Sequence, residues 1–389
     1  MKKAKGGRIA SLCLCLFLLV VGCKQGASSQ VEPAPKVPTH AELLADYVSK
    51  MSVEAKVGQM LLVGIPGTEY GSTAKNLVEN LQVGGIIHFD RNLDEGTQVQ
   101  SLNNNLQRGA KLTPNQIPLF IAVDQEGGQV ARMRGTLLVA PAAASLGEIG
   151  NPKEVESWAV KTAVSLKQYG FNTNFAPVAD LGLTNRRSYG TTPATVTPMV
   201  EAALEGYAQE KMMCSVKHFP GIGKMMVDPH LDTSNVNASR AELESNDMAP
   251  FLAMVNKRPA DSFMIMVSHL VYPAFDKEPS SVSKVFLTEV LRQQWQYQGV
   301  IITDDMAMGG LSKVYSNEVM GVKAVQAGVD ILLSCSGDPT MTYTIYDKVL
   351  EAVKQGNISE ERINASVRRI LATKEAMGIW HLDTASAIK

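Results

Sequence analysis

Residues 40–380 predict an α/β fold of the (β/α)8 barrel type, and three observations carry the prediction. Eight short, almost continuously apolar runs recur along the chain. Longer stretches with helical spacing separate them. Polar and charged residues gather where the runs end. Continuous apolar runs suit a parallel sheet covered on both faces. Eight such units over about 340 residues suit a closed barrel. A doubly wound open sheet is the alternative arrangement of the same elements.

The runs are Met60–Val63, Gly85–His88, Leu119–Val123, Asn172–Phe175, Met212–Val216, Phe263–Val267, Val300–Thr303 and Asp330–Leu333. Helical spacing marks 152–168, 240–257, 284–297 and 340–355. The third run leads into Asp124, and the fourth toward Asp180 and Arg187. The fifth ends at Lys217-His218, the sixth at Ser268-His269 and the seventh at Asp304-Asp305. In such a barrel, chemistry sits at the carboxyl ends of the strands. These residues therefore predict one polar pocket.

Composition narrows the function. An apolar share of 45% in 389 residues supports a large core and excludes a disordered chain. Net charge is −1, and four of the basic residues, Lys2, Lys3, Lys5 and Arg8, precede residue 9. Residues 23–389 keep 33 basic against 38 acidic side chains, a charge of −5. That balance does not suit nucleic-acid binding.

The first residues read as an address. After the four cations comes an apolar run, Ile9 to Val21, of 13 residues. It suits a signal peptide and is short for a transmembrane helix, which needs about 20. It ends in Val20-Val21-Gly22-Cys23, which resembles a bacterial lipobox. The expectation is a leader over 1–22 and acylation of Cys23. Several acyl chains anchor a protein firmly where one binds only marginally. Residues 23–39, with Pro33, Pro35 and Pro38, read as a spacer, 40–380 as the catalytic domain and 381–389 as a tail. Cys214 and Cys335 lie in apolar stretches and are expected as reduced core residues.

The most informative segment is Lys217-His218-Phe219-Pro220-Gly221-Ile222-Gly223, followed by Asp228-Pro229-His230. Pro229 biases Asp228 toward extended geometry, in which residues two apart share a face. A carboxylate can then orient the imidazole and stabilise its protonated form, giving a general acid and base near neutral pH. The set His218, Asp228, His230 and Asp232 matches no metal-ligand spacing, so no metal is expected. Residues 299–308 bring two adjacent carboxylates, Asp304 and Asp305, to the end of a buried strand. Alternation sends them in different directions, so one at most enters the pocket. A carboxylate on a rigid strand is a good nucleophile. Asp305 is expected to serve backbone hydrogen bonding.

Further segments are Val123-Asp124-Gln125-Glu126-Gly127-Gly128, running on to Arg132, Asn174-Phe175-Ala176-Pro177-Val178-Ala179-Asp180, and Arg187-Ser188-Tyr189-Gly190. Taken in order with Met266–His269 and Ala327–Leu333, these segments resemble glycoside hydrolase family 3, specifically its single-domain bacterial β-N-acetylglucosaminidases. The resemblance spans roughly residues 42–378. It implies a retaining glycosidase with Asp304 as nucleophile and His230 as acid/base, partnered by Asp228. It also implies that Asp124, Arg132, Arg187, Lys217 and His218 hold the sugar, with His269 nearby. Two carboxylates do this work in most glycosidases; here an imidazole replaces one.

This chain departs from the family pattern at Ile222, where His is usual, and at Gly223-Lys224-Met225, where Gly-Asp-Thr is usual. Pro229 replaces a usual Ser or Thr. The leader implies anchoring in the cell envelope, the resemblance implies an enzyme that needs no cofactor, and a monomer is expected. It would release terminal β-linked N-acetylglucosamine from muropeptides or chitooligosaccharides. The alternatives are a β-glucosidase, β-xylosidase or phosphorylase of the same family, or a sugar-binding lipoprotein without turnover.

Overall fold

Eight parallel strands close into one barrel in strict sequence order. They are β1 (Leu61–Gly64), β2 (Gly85–His88), β3 (Phe120–Val123), β4 (Thr173–Asn174), β5 (Met213–Phe219), β6 (Met264–Val267), β7 (Ile301–Asp305) and β8 (Ile331–Ser334). The architecture is seen in a computed structural model that describes residues 38–183, 185–224 and 235–383. Closure comes where Leu61 of β1 lies opposite Leu332 of β8. Every residue of β1, β2, β3, β6 and β8 is buried, as continuous apolar runs require. This is the expected barrel, and the open sheet is excluded among the described residues. From His40 onward the chain forms one compact unit.

The helices begin where their sequences provide caps. Asn151 accepts from the N–H of Lys153 ahead of Pro152, opening Pro152–Gln168. Ser359 accepts from Arg362 and opens Glu360–Ala376. Among the described residues no helix is long and apolar enough to cross a membrane. The leader, Cys23 and the spacer up to residue 37 lie outside the described residues, as do Asp228, His230 and the tail from residue 384.

Four elements differ from the sequence reading. The stretch 240–257 divides into Arg240–Ser245 and Ala249–Lys257. Asn246 leaves helical geometry and its side chain donates to Glu242 O at 3.0 Å, while Pro250 cannot sit inside a continuing helix. Over Val285–Gln294 the helix is of the wider π type. β4 is only two residues long, because the chain leaves regular pairing at Pro177. It still follows β5 irregularly: Lys217 N donates to Pro177 O and Ala179 N donates to Lys217 O. Finally, β5 runs on through Lys217 and His218 to Phe219. Phe219 is buried edge-on against Phe251, Phe286 and Trp295, with ring centroids 5.5 to 5.9 Å apart. That apolar clamp fixes the strand end that carries the two polar residues.

Candidate active site

The candidate site grows from the carboxyl ends of β3, β5 and β7. Asp124 follows β3 directly, and its Oδ1 lies 2.7 Å from Lys217 Nζ. The same ammonium is 2.7 Å from Glu126 Oε1. Glu126 also holds Arg187 in a fork, Nε to Oε2 at 2.8 Å and Nη2 to Oε1 at 2.7 Å. Four groups distant in sequence thus form one chain of alternating charge: Asp124, Lys217, Glu126, Arg187. Bidentate pairing of this kind fixes orientation as well as energy.

Burial decides how these groups titrate. It pushes the Glu126 carboxyl up, but Lys217 and Arg187 outweigh it and bring the pKa down to about 2. Burial likewise works against the Lys217 ammonium, while Asp124 and Glu126 hold it above its ordinary value. Glu126, Lys217 and Arg187 are therefore charged at neutral pH.

His218 is fixed from the other side. Its Nδ1 lies 2.7 Å from Asp180 Oδ2, and its backbone N–H points at the same carboxylate. Asp180 Oδ1 also accepts the Ile222 N–H at 2.9 Å. A fully buried carboxylate thereby ties the histidine to the chain that leads on to residues 225–234. The Lys217–His218 peptide is cis.

The strand β7 carries Asp304 and Asp305 within its last residues. Alternation separates them. Asp305 Oδ1 accepts from the N–H groups of Ala307 (3.2 Å) and Cys335 (3.0 Å), a structural use. Asp304 accepts the Asp305 N–H at 2.8 Å. Burial raises the Asp304 carboxyl, but His218, His269, that N–H and Lys217 together hold it below the usual aspartate range. It is an anion facing a cationic strand end. His269 Nε2 lies 3.0 Å from the Asp305 carbonyl oxygen and so donates to it. Its Nδ1 lies 2.7 Å from Ser281 Oγ. Burial lowers its proton affinity.

Arg132 stands apart from the Lys217 chain. Its Nη1 is 3.2 Å from Asp90 Oδ2, and its guanidinium covers Phe89 at 5.1 Å. Its buried Nε has no protein partner. The structure therefore brings together Asp124, Arg187, Lys217, His218 and Asp304, and places Arg132 at the end of β2. Asp228 and His230 fall outside the described residues. Two residues to which the sequence reading gave no role belong to it, Glu126 and Asp180, the latter already expected at the polar pocket. Glu126 is two residues beyond Asp124, the spacing of a shared face, which was its available signal. Asp180 closes the segment that follows β4. Among the described residues no three His, Cys, Asp or Glu side chains are grouped to hold a metal ion, and Cys214 and Cys335 are buried free thiols.

The profile of the glycosyl hydrolase family 3 N-terminal domain matches residues 52–373. The chain belongs to glycosyl hydrolase family 3. A β-hexosaminidase of Glaesserella parasuis is 32% identical over 324 residues, covering 79% of this chain and 93% of its own length. Another, from Idiomarina loihiensis, is 30% identical over 332 residues, covering 83% of this chain and 95% of its own. The solved structure of a family 3 β-N-acetylglucosaminidase from Paenibacillus sp. FPU-7 superposes with a TM-score of 0.81 at 34% identity. That match spans 86% of this family 3 chain and 65% of the Paenibacillus one.

Proposed function

We propose that this glycoside hydrolase removes terminal β-linked N-acetylglucosamine with retention of configuration, through a glycosyl ester on Asp304. The carrying observation is the half-buried Asp304 anion on rigid β7, beside the Lys217–His218 strand end, in a family 3 chain. Relatives named β-hexosaminidase support the choice of sugar. In the first step an Asp304 oxygen forms a bond to the anomeric carbon. The glycosidic C–O bond breaks, and His230 gives its proton to the departing oxygen. In the second step His230 takes a proton from water, the water oxygen bonds to the anomeric carbon, and the ester to Asp304 breaks. Asp228 partners His230. Asp124, Arg132, Arg187, Lys217 and His218 hold the sugar.

The proposal extends to place and substrate. The Lys2–Cys23 pattern supports export and acylation of Cys23, so the barrel would be a monomer tethered in the cell envelope, acting on muropeptides or chitooligosaccharides. A panel of aryl glycosides, with and without phosphate, tests the activity. It pairs with mass spectrometry after trapping by a 5-fluoro N-acetylglucosaminyl donor. The expected result is hydrolysis of the N-acetylglucosaminide and a mass gain on the peptide holding Asp304. Preference for glucosides, need for phosphate, or binding without turnover would each overturn the proposal. Loss of membrane association in Cys23→Ser tests the anchor.

A further inference from the structure

Glu126 is the least exposed acid of the Asp124–Lys217–Glu126–Arg187 chain, at 7% for its side chain. It sits on a tight turn. The N–H groups of Glu126 and Gly127 both donate to Val130 O, at 3.0 and 3.1 Å. Gly127 and Gly128 take φ of 97° and 55°, and a Cβ on Gly127 would meet Pro141 O at 2.7 Å. The turn demands glycine there and fixes the glutamate's backbone. The carboxylate is in turn consumed by protein cations: Oε1 meets both Lys217 Nζ and Arg187 Nη2, and Oε2 meets Arg187 Nε. A carboxylate accepts at about four sites, so three contacts leave it little to offer a ligand.

We infer that Glu126 is a positioning residue: it links the Arg187 fork to the Lys217 ammonium and sets the spacing of two cations that grip the sugar. The inference rests on the proposed function for the word sugar, but not for the charge network itself. Two cations this close repel unless an anion lies between them. The groups facing Lys217 are Asp124 and Glu126 from the β3 end, Arg187 from the segment after β4, and Asp304 on β7. His218 is its neighbour in β5. Without Glu126, Lys217 keeps Asp124 and loses its shield from Arg187.

The test is Glu126→Gln, which keeps the volume and removes the charge, beside Glu126→Asp, which is one methylene short of reaching both cations. Expected is a fall of roughly 10- to 100-fold in kcat/KM on an aryl N-acetylglucosaminide, the scale of one charged hydrogen bond. The loss appears mainly in KM. Adding Arg187→Lys to Glu126→Gln costs little more than Arg187→Lys alone. Independently of activity, the Lys217 ammonium is titrated by NMR in protein carrying ¹³C at lysine Cε, assigned with Lys217→Arg. It titrates above the ordinary lysine value in the parent and at least one pH unit lower in Glu126→Gln. A Lys217 titration that does not move overturns the inference, even where activity falls, since that outcome describes structural damage alone. A shift in Lys217 with kcat/KM within threefold of the parent also overturns it. A parent that hydrolyses no N-acetylglucosaminide overturns the proposed function instead; calorimetric binding of N-acetylglucosamine, at least tenfold weaker in Glu126→Gln, then decides the inference.

Discussion

Asp180→Ala should cost far more than the loss of one hydrogen bond. Its carboxylate is fully buried and serves three donors: the His218 N–H, the His218 Nδ1–H and the Ile222 N–H. His218 is 5% and Ile222 4% exposed, so water cannot replace the lost acceptor without rearrangement. Each buried donor left unpaired costs about 1–3 kcal/mol, and three are left here, with some relaxation expected around them. The expected loss is therefore about 3–5 kcal/mol. Asp180→Asn keeps one acceptor oxygen in place and should lose roughly half of that. Urea denaturation measures both, as a fall in midpoint at constant slope. The catalytic effect separates from the stability effect in Asp180→Asn. Ile222 leads into the segment that holds Asp228 and His230, so a displaced anchor should lower kcat/KM by up to roughly 100-fold in protein that is still folded. An Asp180→Ala protein within 1 kcal/mol of the parent, or an Asp180→Asn enzyme with parental kcat/KM, would refute this account of the strand end.

Other outcomes follow from single contacts. Asp304→Ala should abolish turnover yet retain sugar affinity, as read by calorimetry. Arg187→Lys replaces a fork by a point charge and should raise KM roughly 10-fold or more in steady-state kinetics. At Gly223 a Cβ would lie 1.6 Å from Leu181 O, so Gly223→Ala must displace backbone and should lower stability by about 2 kcal/mol or more. Lys374 is buried, with Nζ on Gln59 Oε1 (3.0 Å) and Gly84 O (2.9 Å), and burial lowers its pKa to about 7. The unfolded chain then binds that proton more tightly than the folded one, so stability rises with pH from about 7 toward 10.5, gaining about 2 kcal/mol between pH 7 and 9; denaturation of the parent and Lys374→Met at both pH values should show the gain in the parent alone.

The barrel was legible because its strands are buried on both faces and therefore written as unbroken apolar runs. Gly85–His88 matches β2 to the residue. What escaped was local irregularity. Pro177 ends β4 early, and Pro250 forces a break between two short helices; both are visible residues whose effect depends on what lies beside them. The extension of β5 through Lys217 and His218 was hidden because polar residues at the end of an apolar run look like a loop. Tertiary packing of Phe219 overrides that appearance.

The site divides along the same line, and the division says where its chemistry is stored. Asp304 and Lys217 stand at strand ends, where the sequence alone marks them. The roles of Glu126 and Asp180 do not mark themselves, because each acts on partners 38 to 91 residues away in the chain, Asp180 on His218 and Glu126 on Lys217. Their placement depends on register. The irregular bridge of Val178 to Lys217 sets the segment before Asp180 alongside β5, and the Gly127–Gly128 turn fixes Glu126 beside Asp124. Lys217, His218 and Asp304 are thus carried by regular strands, and Asp124, Arg132 and Arg187 by the segments that follow strands. Residues that hold them still are carried by the irregular segments that follow. A substitution that removes the Glu126 charge should therefore change affinity and rate while leaving the barrel folded, and a cavity in the apolar part of a strand should do the reverse. Comparing Glu126→Gln with a cavity variant such as Ile302→Ala, buried in β7, puts the distinction to measurement. The first should lose kcat/KM in protein that is still folded. The second should lose about 2–5 kcal/mol of stability while its remaining folded fraction binds sugar normally.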